Sequence, residues 1–304
     1  MQYDSEDAMA KTLSIPYNYL HQVRNATINS NRDLMHVINT GKLPLKPIDT
    51  LTVLTFLDSY SKTVAKPLGE PSFLNSSLLS ERWLNLNRND WEPLNDMLNR
   101  LTRDALHICH YKSFDDMILL PWATGMTMSL MLSILNKSYN GNNIVAWFRI
   151  DQKSCIKSIE LCNDLICINP KDDDVICNNI EKLIEVLSVD NCGKPFCVVS
   201  TTSCFAPRVP DDVIVISKLC RKYEVAHLVN NAYGIQSKDI AKMIEKASRL
   251  GRIDYVVQSM DKNFMVPVGG SIVIAYNQKI PQWLKLKYGS SLQRTNGSVY
   301  IVKK

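Results

Sequence analysis

The sequence predicts an α/β fold, with a mostly parallel sheet covered by helices on both faces and a helical N-terminal extension in front of it. Three observations carry the prediction. Short apolar runs such as Ile144-Val-Ala-Trp-Phe148 and Ser271-Ile-Val-Ile-Ala275 have the length and β-branched character of fully buried strands. Longer amphipathic stretches separate most of these runs, as crossover helices do in parallel sheets. The first 110 residues lack the alternation and carry helical periodicity instead.

The elements follow in order. Residues 1 to about 60 read as helical: Ser14-Ile-Pro16 opens a helix, Leu34, Val37 and Ile38 form one apolar face, and Gly41 with Pro44 and Pro47 ends it. Pro47-Ile-Asp-Thr50 opens a second helix through Leu54 and Leu57. Residues 61–95 are the least regular, broken by Pro67, Gly69 and Pro71. A helical period returns from Trp91 to His110. Met117–Leu120 is then a strand, Thr127–Leu135 a helix, Ile144–Phe148 a strand and Gln152–Leu161 a helix. Leu165–Ile168 is a strand and Val175–Leu187 a helix. Phe196–Val199 is a strand and Asp212–Tyr223 a helix. Val225–Val229 is a strand and Ser237–Leu250 a helix. Ile253–Val257 and Ser271–Ala275 are strands. Domain limits are accordingly 1–110 for the extension and 111–304 for the large domain.

Composition narrows the class. Hydrophobic residues make up 45% and charged residues 21%, which excludes a disordered chain. A net charge of +5 permits a nucleic-acid partner without requiring one. The 9 cysteines form no C-x-x-C pair, so they read as reduced, mostly buried thiols. His107-Ile-Cys-His110 lacks a second ligand pair, and no metal site is expected. The acidic start Met1–Asp7 reads as neither a secretory signal nor a mitochondrial presequence. The uncharged stretch Met117–Leu135 approaches membrane-spanning length, but its Pro121, Gly125 and hydroxyl residues favour a strand, turn and helix. No membrane association is expected.

In such sheets ligands bind beyond the carboxyl ends of the strands. Pro121-Trp-Ala-Thr-Gly-Met126 places Thr124 and Gly125 at a helix start, where free backbone N–H groups suit a phosphate. Asn230-Asn-Ala-Tyr-Gly234 follows a strand and offers an amide to a ring nitrogen or phenol oxygen. Gln258-Ser-Met-Asp-Lys-Asn263 puts Lys262 at a strand end before a glycine-rich segment, a setting that suits Schiff-base chemistry. A phosphate turn, a ring-contacting amide and an amine are what a pyridoxal phosphate enzyme needs.

Four strings carry a closer resemblance: Arg149-Ile-Asp-Gln-Lys-Ser-Cys155, Ser200-Thr-Thr-Ser-Cys-Phe-Ala-Pro-Arg-Val-Pro210, Val229-Asn-Asn-Ala-Tyr-Gly234 and Gln258-Ser-Met-Asp-Lys-Asn-Phe-Met-Val-Pro-Val-Gly-Gly270. With Ala123-Thr-Gly-Met126 and Gly251-Arg-Ile-Asp254, they resemble the O-phosphoseryl-tRNA(Sec) selenium transferase family. The resemblance implies a fold-type-I pyridoxal 5'-phosphate transferase, normally a cytoplasmic homotetramer. Such an enzyme converts O-phosphoserine on tRNA(Sec) to selenocysteine with selenophosphate. Lys262 is then the lysine that binds the cofactor and the general base. Asn230 contacts the pyridine ring, less effective than a carboxylate in stabilising a protonated ring nitrogen. Ala123, Thr124 and Gly125 lie against cofactor and phosphate, Gln152 and Ser259 are further contacts, and Arg249 meets the tRNA.

The sequence also departs from that family. A phosphate-binding Gly-Arg-Ser-Gly loop is implied, yet residues 66–90 contain Glu81-Arg82 and Arg88 without a glycine-flanked arginine. Lys287-Tyr-Gly-Ser-Ser-Leu-Gln-Arg294 stands where the family bears another substrate arginine. The chain stops at Lys304, where the family continues into a C-terminal domain, so an incomplete large domain is expected. These departures carry an alternative: a catalytically inactive fragment or partner subunit that binds tRNA(Sec) or full-length protomers.

Overall fold

The computed structural model describes residues 29, 31–37, 40, 42, 48, 52–53, 88–139, 142–161, 163–170, 179–189, 193–205, 208–264 and 270–288. The chain divides into two compact units, residues 1–104 and 105–304. In the first, residues 31–37 are helical and bury Leu34 and Val37, the apolar face expected there. The remaining calls before residue 88 fall almost wholly outside the described residues. Helix α1 (Arg88–Ile108) starts inside the stretch expected to be irregular.

The second unit alternates strand and helix. Its strands are β1 (Asp116–Leu120), β2 (Ile144–Phe148), β3 (Asp164–Ile168), β4 (Cys197–Thr201), β5 (Ala226–Asn230), β6 (Tyr255–Ser259) and β7 (Ser271–Ala275). Between and after them come α2 (Thr124–Asn136), α3 (Lys153–Glu160), α4 (Ile180–Leu187), α5 (Val213–Lys222), α6 (Lys238–Leu250), the single turn α7 (Asp261–Phe264) and α8 (Gln282–Tyr288). They build one seven-stranded sheet in the order β1-β7-β6-β5-β4-β2-β3. Strand β7 runs antiparallel to both neighbours, and the remaining pairs are parallel.

Period-two alternation sorts the strand side chains onto two faces. Val145, Trp147, Val199, Leu228, Tyr255, Val257 and Val273 pack with Met128, Met131 and Leu132 of α2 and Cys155 and Ile159 of α3. On the opposite face, Val229, Val256, Ile272 and Ile274 pack with Ala241, Ile244 and Ala247 of α6. Ala146, Phe148 and Val198 on that side meet Leu183 of α4 and Ile216 and Cys220 of α5.

Helix starts follow their sequence signals. Asn179, Asp212 and Ser237 each accept from a backbone N–H in the first turn of α4, α5 and α6. Helix α2 differs: its N-cap Ala123 offers no side-chain acceptor, and its first turn holds no acid. Helices α5 and α6 approach closely at Gly251, where a Cβ would lie 2.3 Å from the Ser217 carbonyl carbon.

The uncharged Met117–Leu135 stretch resolves into β1, a turn and α2. No helix among the described residues is long and apolar enough to cross a membrane. Strands β4, β5 and β6 run further toward their carboxyl ends than their apolar runs do. Thr201, Asn230 and Ser259 therefore lie inside the ladder, paired as Thr201↔Asn230 and Ser259↔Ser271. Hydrogen bonding continues after hydrophobicity stops, because both faces turn polar at that edge. Burial of the thiols is mixed among the described residues: Cys155, Cys197 and Cys220 are buried, but Cys167 is exposed, since β3 is an edge strand.

Candidate active site

The carboxyl ends of β4, β5 and β6 carry a row of polar side chains on the α2/α3 face: Thr201, Asn230 and Ser259 share the parity of Val199, Leu228 and Val257. All three are buried.

Lys262 sits one residue past the start of α7, a single turn that sequence periodicity does not reveal. Its side chain is 28% exposed and its Nζ donates to Ser259 Oγ at 3.1 Å. Asp261 pairs with the ammonium at 3.4 Å, and the Tyr233 ring lies beneath it, 5.4 Å from centroid to Nζ. Ser259 also donates to Asp261. Burial pushes the Asp261 carboxyl up, but the Ser259 hydrogen bond and the Lys262 charge outweigh it and hold it below the usual range. Burial, with Cys204, Asp261 and Cys155 nearby, raises the Tyr233 phenol. The amine is thus held by three groups, close in sequence or across one strand pair.

Asn230 is 2% exposed and has a fixed amide orientation. Its Oδ1 accepts from Ala232 N–H at 3.2 Å, and its Nδ2 donates to Cys155 Sγ at 3.3 Å. Cys155 in turn donates to Gln152 Oε1 at 3.8 Å. Burial foremost pushes the Cys155 thiol up to about 11, so it stays protonated at neutral pH. Gln152, Cys155 and Asn230 therefore form one chain of polar contacts, although Asn230 lies 75 residues from Cys155.

Thr124 opens α2 on the same face. Its Oγ1 is buried without a hydrogen-bond partner among the described residues. An orphan hydroxyl at a helix start whose first turn holds no acid fits an anionic ligand. Gly125 faces α3, where a Cβ would sit in ordinary contact 3.5 Å from Ser154 O. Thr201 Oγ1 and Arg208 Nη1 are likewise buried without partners among the described residues, while Arg208 pairs with Asp211 through Nη2. These orphans at one edge are what a site leaves when its ligand supplies the missing bonds. Their chemistry fits a phosphorylated heteroaromatic aldehyde: a phosphate at Thr124, a ring by Asn230, an amine at Lys262.

Arg249 does not join this group. It is exposed in the last turn of α6, at the amino edge of the parallel strands. There it lines a groove of about 480 Å³ with His110, Lys112, Lys242 and Lys246. It also lines an adjoining hollow of about 300 Å³ with Arg221, Asp115 and Asn277. The groove's one acid, Glu245, is engaged by Lys112 N, Ser113 N and the Tyr276 hydroxyl.

A family model described as O-phosphoseryl-tRNA(Sec) selenium transferase, SepSecS, matches residues 92–303. The chain belongs to the O-phosphoseryl-tRNA(Sec) selenium transferase family. The selenium transferase of Dictyostelium discoideum is 45% identical over 201 residues, covering 63% of this chain and 41% of that protein. That of Caenorhabditis elegans is 40% identical over 193 residues, covering 62% and 40%. The chain thus spans about two fifths of the curated selenium transferases it matches. The crystal structure of an archaeal selenium transferase superimposes with a TM-score of 0.67 at 25% identity, over 90% of this chain and 68% of that one. Mouse CSAD shares the fold, with a TM-score of 0.54 at 15% identity over 74% and 50% of the two chains. The sheet order and the helices on both faces are those of fold-type-I pyridoxal-phosphate-dependent transferases.

Three site residues escape a reading based on strand ends. Cys155, Tyr233 and Asp261 all lie within the strings that carry the family resemblance, and that was the available signal.

Proposed function

We propose that this chain carries the cofactor-binding core of an O-phosphoseryl-tRNA(Sec) selenium transferase, acting in the cytoplasm as a homotetramer on phosphoserine attached to tRNA(Sec), with selenophosphate as selenium donor. One observation carries the reading. Lys262 is held by Ser259, Asp261 and Tyr233 on the same sheet face as the orphan hydroxyl of Thr124 and the oriented amide of Asn230.

Pyridoxal 5'-phosphate would be held covalently by Lys262, with its phosphate at Ala123, Thr124 and Gly125 and its ring near Asn230, Gln152 and Ser259. When bound, it supplies an electron sink for charge developing at the substrate α-carbon. The residues do the rest. Lys262, once its amine is free, removes the α-proton as general base. Ser259 and Asp261 hold Nζ in place for that proton transfer. Thr124 and the first-turn amides of α2 balance phosphate charge. Loss of the substrate phosphate by β-elimination leaves the carbon to which selenium adds. On the tRNA side, Arg249 with Lys242 and Lys246 forms a basic ridge at helical spacing that suits a phosphodiester backbone.

A second reading, a non-catalytic form that binds tRNA(Sec) or full-length protomers, is supported by one sequence feature: residues 66–90 hold no glycine-flanked arginine. Incubation with phosphoseryl-tRNA(Sec), selenophosphate and pyridoxal phosphate separates the two. The first reading expects phosphate release and selenium on the tRNA, both lost in Lys262→Ala. Tight tRNA binding with no phosphate release favours the second.

A further inference from the structure

The strand ends that lead to Asn230 and Lys262 are joined differently from the strands behind them. The register of β5 with β6 ends at Asn230↔Val257, followed by one main-chain bond from Asn231 N to Val257 O at 2.8 Å. Past that point, among the described residues, side-chain amides make the join. Asn231 Nδ2 donates to Gln258 Oε1 at 2.9 Å, and Gln236 Nε2 donates to Asn263 O. The third amide is Asn263 itself, 5% exposed. Its Nδ2 donates to Ala232 O at 2.8 Å and to Ser259 O at 2.7 Å. Both hydrogens of that nitrogen are spent, one on the loop after β5 and one on the last residue of β6.

Asn263 follows Lys262 directly in the single turn α7. Ala232 stands between Asn230, whose Oδ1 accepts from its N–H, and Tyr233, whose ring centroid lies 5.4 Å from Lys262 Nζ. One side chain therefore ties the turn that carries the amine to the residue that orients the ring amide. Resting on the cofactor reading above, we infer that Asn263 is a positioning residue: it holds the Lys262 turn and the Asn230 loop at one spacing, so that both reach the same ligand. The need is geometric. The aldehyde carbon and the ring nitrogen of pyridoxal phosphate lie at opposite ends of one rigid ring. An amine free to move against the Asn230 loop would meet the aldehyde in only a fraction of its positions. Turn α7 has little of its own to prevent this, since Asn263 N and Phe264 N share the single acceptor Met260 O. The residue type follows from the bonds. Two buried carbonyls need two hydrogens from one short side chain. Aspartate would turn oxygens toward both, alanine would leave both without this donor, and glutamine is one methylene longer.

The test mixes the full chain with limiting pyridoxal 5'-phosphate, times the growth of the yellow band, and then fixes the label with borohydride for mass spectrometry. Asn263→Ala and Gln236→Ala are compared with the parent and with Gly251→Ala, which disturbs the Ser217 backbone instead. The band is expected to form about tenfold more slowly in Asn263→Ala and about threefold more slowly in Gln236→Ala. The share of label on Lys262, rather than on surface lysines, falls in step. Gly251→Ala is less stable but keeps the parent's rate and its label on Lys262, which separates positioning from a general loss of stability. Where Asn263→Ala does not fold, the slowing in Gln236→Ala decides. A parent rate and parent label in both amide variants, or an equal slowing in Gly251→Ala, overturns the inference and leaves the cofactor reading standing. No label on Lys262 in the parent refutes the cofactor reading, and the inference falls with it.

Discussion

Replacing His227 tests the electrostatics of the sheet interior. His227 is fully buried on β5. Its Nδ1 lies 3.1 Å from Arg252 O and its Nε2 2.8 Å from Ser200 Oγ. The carbonyl can only accept, so Nδ1 carries the hydrogen and Nε2 accepts from the serine. A second proton would force the Ser200 bond to reverse and place a charge beside Arg252, whose guanidinium pairs with Asp254. Desolvation foremost therefore lowers the imidazole to about 4. The unfolded chain takes up that proton near pH 6.5, so the folded state loses stability as pH falls from about 6.5 to about 4. At 1.36 kcal/mol per pH unit, the loss is about 3 kcal/mol when complete. Above about pH 6.5 the group is neutral in both states and adds no pH dependence. Urea unfolding of the parent and of His227→Gln, compared across this window, isolates the effect from carboxylates common to both. The variant is expected to be weaker at neutral pH but to lose about 3 kcal/mol less on acidification. Parallel pH dependence in the two proteins, or an imidazole titrating near 6.5 by NMR, refutes the reasoning.

Three further outcomes are expected. Gly251→Ala forces a methyl group against the Ser217 backbone and costs about 3 kcal/mol in chemical denaturation, because backbone rather than a flexible side chain must yield. A Gly251→Ala protein as stable as the parent would contradict the close approach of α5 and α6. Thr124→Val removes the orphan hydroxyl from the start of α2 and weakens pyridoxal phosphate binding about tenfold, measured by absorbance titration. Lys246→Ala and Arg249→Ala each lower the salt dependence of tRNA binding by about one phosphate contact, seen as a shallower slope of log K against log salt. Unchanged slopes would place the nucleic acid on another surface.

The legibility of the sequence varied by element for physical reasons. Strands β2 and β7 were bounded correctly because both of their faces are buried, so an apolar run and a hydrogen-bonded ladder coincide. At β4, β5 and β6 the two part company: Thr201, Asn230 and Ser259 are paired as strand yet polar, so the apolar run ends before the ladder does. Turn α7 is one helical turn, too short to leave a periodicity, so the environment of Lys262 was not readable. The place of Thr124 and Gly125 at a helix start is legible because a strand, a turn and an apolar helix follow each other in the sequence. The contact of Cys155 with Asn230 spans 75 residues and has no local signature. Lys242 and Lys246 were within reach, since their spacing from Arg249 is helical, but only tertiary packing places Lys112 beside them.

The central claim is that Lys262 is the cofactor amine, and one measurement bears on it most directly. The purified chain is mixed with pyridoxal 5'-phosphate, its absorbance recorded, and the mixture reduced with borohydride and digested for mass spectrometry. The account predicts a yellow band in the parent, its loss in Lys262→Ala, and a phosphopyridoxyl group fixed on Lys262. A label spread over surface lysines, or a band that survives in Lys262→Ala, would contradict it.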